Sequence, residues 1–342
     1  MRTIDLRSDT VTLPTKEMML SIMDAGLGDD VSREDPTVNK LEELSATRFG
    51  TDDALFTPSG TQSNLISVMV HCKKGDEMIV ESEAHIYYYE VGGMSAVAGV
   101  IPRLIKGNMG VFTPEQVAGA VRGEDLHFPP STLVEIENTH NRAGGTVWTP
   151  KQVAVVAKTA HSFGMKVHID GARIFNAAVA LGVDVKEYAK HVDSTSFCLS
   201  KGLSAPVGSV IVGSSEFIEK ARKTRKMLGG GMRQAGVIAA PGIIALTKMV
   251  DRLKEDHDNA KRLALGLKGL ETIKVDMRTV QTNIVLVDVT PMGLDSGQFV
   301  EKLKKNGILA VDFGGGRVRF VTHRGITAEE IDETIGRVER LR

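Results

Sequence analysis

A chain of 342 residues with 42% apolar and 25% charged side chains can bury a substantial core and exceeds the usual size of one domain, so a large domain plus a smaller one is expected. Its 42 Lys and Arg against 43 Asp and Glu leave a net charge of −1, which excludes a global field that would recruit nucleic acid or an anionic membrane. Two cysteines without metal-ligand or disulfide spacing, an N-terminus without a signal-peptide core, and apolar runs too short to span a bilayer point to a reducing cytoplasm.

From about Asp52 to Gly213, helical patterns alternate with apolar runs of strand length. In chain order these read as the helix "TQSNLISVMVHC", the strand "EMIVES", the helix "TPEQVAGAVR", the strand "STLVEIENT" and the helix "TPKQVAVVAKTAHSFG", ended by Gly164. The strands "KVHIDGA", "STSFCLS" and "GSVIVGS" follow. Such alternation predicts an α/β fold whose parallel sheet is covered on both faces. After Gly229 a lysine-rich helical run from about Gln234 to Leu270 leads to a smaller α+β unit. Its elements are "TIKVDM", "TNIVLVDV", the helix "DSGQFVEKLKKNG", a hairpin "ILAVDFGGGRVRFVTH" turning at Gly314 to Gly316, and the helix "TAEEIDETIGRVERLR". The expected division is 1–250, including an N-terminal segment 1–15, and 251–342.

Ligands of parallel α/β sheets sit at the carboxyl ends of strands, so polar residues just after apolar runs are the candidates. Asp170 and Arg173 follow "KVHID", where a carboxylate either caps a helix or partners a buried cation. A nearby strand ends in Ser200 and Lys201. A lysine and an aspartate at such ends are what pyridoxal phosphate requires: an amine for a Schiff base and a carboxylate that keeps the pyridine nitrogen protonated. Ser59, Gly60 and Thr61 open a helix, and its free N–H groups offer either an ordinary cap or a phosphate cradle. No Walker loop and no G-x-G-x-x-G after a strand occurs.

His85 follows "EMIVES" and either stacks on a cofactor or bonds to backbone; His127 and His140 flank "STLVEIENT", and His168 reads as a satisfied core residue. The run "KARKTRKMLGGGMRQ" places Arg222, Arg225 and Lys226 on one helical face, expected to be solvated, followed by Arg233. Alternatively its glycines let Lys226 or Arg233 approach a phosphate. Arg319 sits in "RVRFVTH", where an arginine can hold a carboxylate in a bidentate pair.

Taken together, "DLRSDTVT", "EDPTVNKLE", "PSGTQSNL", "AHIYYYE", "ENTHNRAGG", "HIDGARIFNA", "SKGLSAPVGSVIVG", "MLGGGMRQAG" and "RFVTH" make the chain resemble, nearly end to end, the L-threonine and L-allo-threonine aldolases. These are pyridoxal phosphate enzymes of the aspartate-aminotransferase-like fold. The resemblance implies Lys201 as the Schiff-base lysine, Asp170 on the pyridine nitrogen, His85 stacked on the ring, and Gly60 and Thr61 on the phosphate. It further implies that Ser8, Arg173 and Arg319 bind the substrate α-carboxylate, with Arg173 also near the cofactor's phenolic oxygen, and that His127 approaches the substrate hydroxyl. A cytoplasmic homotetramer, in which Arg233 reaches a neighbour's phosphate, completes the expectation.

The chain departs from the family pattern at "DDVSREDPT", where Ser32 and Arg33 replace a tyrosine and a glycine. The loss of an aromatic ring from a loop near the active site is expected to open space or to alter the hydroxyl's environment, and Arg33 is set against any backbone conformation that favours glycine. Two rival readings stay in view. One is another pyridoxal phosphate lyase or racemase acting on a small amino acid; the other is a non-catalytic binding protein of the same fold.

Overall fold

A computed structural model describes residues 2–341. Twelve strands form: β1 (Ile4–Asp5), β2 (Asp53–Thr57), β3 (Glu77–Glu81), β4 (Ile101–Ile105), β5 (Ser131–Glu137), β6 (Lys166–Asp170), β7 (Ser194–Cys198), β8 (Ser209–Gly213), β9 (Ile284–Asp288), β10 (Ile308–Leu309), β11 (Val311–Asp312) and β12 (Arg317–Val321). Seven of them make one sheet in the order β2-β8-β7-β6-β5-β3-β4. Strands β3 to β7 run parallel, while β8 is antiparallel to both neighbours, which makes the sheet mostly rather than wholly parallel. Every residue of β3, β7 and β8 is buried, as helices on both faces require. Partly exposed β4 carries Pro102 and lies at the edge, where a missing N–H costs no ladder bond.

The helices follow their caps. Pro150–Ser162 starts at Thr149, whose hydroxyl accepts the Gln152 N–H while the Gln152 side chain accepts the Thr149 N–H. Its Val153, Val156, Ala157 and Ala160 face the sheet at helical spacing. The expected single run from Gln234 to Leu270 is two helices, Gly236–Lys248 and Leu253–Lys268, separated by a turn.

A second core lies over the three-stranded sheet β11-β12-β9 and includes Leu263, Phe299, Phe320 and Val338. The hairpin turns at Gly314 to Gly316, all three in the left-handed region that excludes most side chains. Its expected first strand is broken: β10 leaves the hairpin and pairs in parallel with β1. "TIKVDM" forms no strand, only a bridge from Lys274 to Asp288. Through β1, Ile4 and Leu6 enter the second core, although the expected division groups residues 1–15 with the large domain. A larger first core, from Met18 to Leu253, surrounds the seven-stranded sheet.

Candidate active site

Asp170 ends β6 and is buried. Its Oδ1 accepts the Ala172 N–H at 3.0 Å and its Oδ2 accepts Asn64 Nδ2–H at 2.8 Å. Burial alone would raise this carboxyl, but His85, Lys201 and the two hydrogen bonds hold it below the usual carboxylate range. Asn64 projects from the helix Gly60–His71, and its Oδ1 accepts Ser196 Oγ–H at 3.0 Å. His168, two residues before Asp170, bonds Ser194 Oγ at 2.8 Å through Nδ1, and burial pushes its imidazole down to about 4. It is the satisfied core histidine that its apolar strand suggests.

Lys201 lies in the turn that joins β7 to β8, next to Ser200. Its carbonyl accepts the Ser204 N–H at 2.8 Å, and the Ala205 N–H closes on Leu199. Gly208 re-enters the sheet at φ +108, where a Cβ would stand 2.4 Å from the Phe56 ring. Only glycine fits both demands. The turn bounds a cavity of about 300 Å³ that Ser59, Gly60, Thr61, His85, Asp170, Ser200 and Lys201 all line.

Across the cavity the helix Gly60–His71 begins at Ser59, whose hydroxyl accepts the Gln62 N–H at 3.2 Å. The cap is thus real, and it leaves the N–H groups of Gly60 and Thr61 at the positive end of the helix dipole. A Cβ on Gly60 would lie 2.9 Å from Cys198 Sγ, so the helix start packs directly on the end of β7.

His85 opens the short helical turn His85–Tyr88 after β3. Its backbone N–H donates to Glu137 Oε2 at 2.8 Å, and its Nδ1 lies 2.9 Å from Glu90 Oε1. Burial would lower this imidazole, yet Glu90, Asp170 and Glu137 together hold it above the ordinary histidine value. Glu137 Oε1 also accepts the Asn141 N–H at 2.9 Å, which ties the His85 turn to the loop after β5.

The two expected carboxylate-binding arginines sit close together. Arg173 is buried and donates from Nε and Nη2 to Asp9, both at 2.7 Å. Asn283 Nδ2 also donates to Asp9, at 3.1 Å. Arg319 donates to Asn141 Oδ1 at 2.6 Å and to the Arg7 carbonyl at 3.0 Å, and its guanidinium stacks 4.9 Å from the Phe313 ring centre. Among the described residues no carboxylate bonds it, and its buried Nε has no partner there. Burial and then the neighbouring Arg173 push it down to about 10. Ser8 caps the turn Asp9–Val11 from the same N-terminal segment.

Two expected residues stand apart. His127 is 81% exposed and bonds Asp125, and Arg233 is 62% exposed and bonds Asp29. His140 is buried against Glu81 at 3.1 Å. Of the face expected to be solvated only Lys226 is exposed: Arg222 pairs with Glu42, and fully buried Arg225 pairs with Asp30 and the Phe56 carbonyl. Arg33 does occupy a left-handed conformation, φ +61, the setting in which glycine is favoured. Asp9, Asn64, Glu90, Glu137 and Asn141 complete the site unforeseen. Of these, only Asn64 and Glu137 carry a linear signal, a polar side chain within or at the end of an apolar run, as with Glu137 in "LVEIE".

Pyridoxal phosphate fits these residues. Asp170 is a buried carboxylate whose two bonded donors are neutral amides, so it lacks a bonded cation on the cavity side, where a protonated ring nitrogen supplies one. The fold agrees: a threonine aldolase from Leishmania major superposes with a TM-score of 0.84 at 18% identity, covering 99% of each chain. The aspartate aminotransferase of Thermus thermophilus superposes at 0.72 with 16% identity, covering 100% of this chain and 92% of that one. These superpositions define the fold class as the aspartate-aminotransferase-like one.

Sequence comparison narrows the class. A family model described as beta-eliminating lyase matches residues 5–290. Low-specificity L-threonine aldolase 1 of Arabidopsis thaliana is 44% identical over 340 residues, 98% of this chain and 95% of the relative. The low specificity L-threonine aldolase of Escherichia coli (strain K12) is 40% identical over 331 residues, 96% of each. The chain belongs to the low-specificity L-threonine aldolases, pyridoxal phosphate lyases of the beta-eliminating lyase family.

Proposed function

We propose that this aldolase cleaves both L-threonine and L-allo-threonine to glycine and acetaldehyde, with the residues of the 300 Å³ cavity in the following roles. Bound pyridoxal phosphate supplies an imine-forming carbonyl and a protonated ring that accepts the electron pair left when the Cα–Cβ bond breaks. Lys201, whose side chain lines the cavity, would hold the cofactor through its amine. Asp170 keeps the ring nitrogen protonated. Gly60 and Thr61 hold the phosphate with their N–H groups, helped by Ser59 and Ser200, and Arg233 adds a cation from a neighbouring subunit.

Arg319, Arg173 and Ser8 grip the substrate carboxylate, and that grip fixes the orientation of the substrate about Cα. His85 takes the β-hydroxyl proton, its neighbours having raised its affinity for one. His127 acts on the same hydroxyl only across a subunit boundary or after rearrangement of its exposed loop. A homotetramer is supported by the exposed apolar side chains of Leu13, Met23 and Val91. We place it in the cytoplasm; no helix among the described residues is long and apolar enough to cross a membrane. We keep the division into 1–250 and 251–342, with β1 docked on the second unit.

The observation that carries this reading is Arg319, a guanidinium buried beside a second arginine without a bonded carboxylate. An α-amino acid provides that carboxylate. Acetaldehyde release from the four threonine stereoisomers by cofactor-saturated enzyme tests the proposal. Release from the two L isomers with the D isomers inert supports it; none from any isomer overturns it in favour of another reaction at the same site.

A further inference from the structure

One side-chain amide ties together the two halves of the site. Asn64 donates one Nδ2 hydrogen to Asp170 Oδ2 at 2.8 Å and the other to Glu90 Oε1 at 2.9 Å. Its orientation is fixed, because a flipped amide would set its oxygen against two carboxylates and turn its NH2 on the Ser196 hydroxyl that now donates to Oδ1. Glu90, 3% exposed, therefore receives an N–H on the same oxygen that faces His85 Nδ1 at 2.9 Å. That oxygen is an acceptor, so the contact requires the imidazole proton on Nδ1. The neutral ring then carries its lone pair on Nε2.

The groups that face His85 are Glu90, Asp170 at the end of β6, Glu137 at the end of β5, Lys201 after β7, and the Tyr89 ring 5.4 Å away. Of the three carboxylates, only Glu90 bonds the imidazole itself; Glu137 bonds the backbone N–H, and Asp170 accepts from Asn64 and Ala172. We propose that Glu90 is the positioning residue of His85: its carboxylate holds the ring proton on Nδ1 and so presents Nε2 as the acceptor for the substrate hydroxyl. The proposal rests on the role given to His85 above. Both Glu90 and Asn64 act through the groups they bond, His85 and Asp170.

Ring 15N–1H correlation spectra of the full-length protein, cofactor-free and loaded, test it, with the His85 signals identified by their loss in His85→Asn. Glu90→Gln preserves an acceptor for Nδ1–H but removes the charge, so the tautomer is kept while the His85 titration midpoint falls by about one pH unit. Glu90→Leu removes the acceptor, and the Nδ1–H tautomer ceases to dominate. With L-threonine, the acid limb of kcat/KM in Glu90→Gln moves to lower pH along with the ring. An unchanged tautomer and midpoint in both variants overturns the proposal. A changed ring with an unmoved acid limb upholds Glu90 as the partner of His85 and instead removes His85 from the role of base.

Discussion

Arg319 and Arg173 approach each other in a buried setting, and like charges there are tolerated only with compensation. Asp9 compensates Arg173, whereas Arg319 has a carbonyl, an amide oxygen and an aromatic face. Arg319→Ala should therefore raise KM for threonine about 30-fold, roughly 2 kcal/mol for a lost charge-assisted contact, with a smaller change in kcat. Initial rates over a wide substrate range decide the matter, and an unaltered KM would remove the residue from the clamp. Asp170, Lys201 and Arg319 were legible in the linear chain because each is a charged residue at the end of, or inside, an apolar strand. Asp9 and Glu90 were not: each owes its importance to a partner far along the chain or across a turn, Arg173 and Asn64 respectively, which spacing cannot reveal.

Where a helix begins with a reciprocal cap, its start follows from chemistry confined to a few neighbouring residues, which explains why such starts were readable while the break between Lys248 and Leu253 was not. Thr113 and Thr149 each start a helix with a proline after the cap and a glutamine three residues on, the reciprocal pattern that satisfies two otherwise free N–H groups. Thr149→Ala should lower the unfolding free energy by about 1 kcal/mol without altering the denaturant slope. Urea melts followed by circular dichroism test this, and an unshifted midpoint would mean that packing of Val153 and Val156 alone holds the helix start. Strand direction was less readable. In β8 the sequence "SVIVG" is buried throughout whether it runs parallel or antiparallel, and the deciding factor is the short return from β7 through Gly208, a connection too brief for a parallel crossover.

At the scale of the molecule, buried ionic groups beneath the sheet edge couple stability to pH. Burial would raise Glu81, but His140 and the N–H groups of Glu83 and Gly107 hold it down to about 2. For a depressed carboxyl, the stabilisation is complete above the ordinary glutamate value and is lost as pH falls through the folded one. Stability should hence decline from about pH 4.5 towards pH 2, and Glu81→Gln should flatten that slope, as urea midpoints at about pH 5 and about pH 3 will register. Equal slopes in the two proteins would assign the acid loss to other carboxylates. The docking of β1 on β10 also has a temporal side. Ile4 and Leu6 join a core made of residues from 260 to 338, and the strand that pairs with them, at 308 and 309, comes some 300 positions later. At roughly 5–20 residues per second, a nascent chain carries these two side chains unsheltered for about 15 to 60 seconds. The Arg7 carbonyl waits equally long for Arg319, so the setting of that guanidinium is completed only after residue 319 has been made.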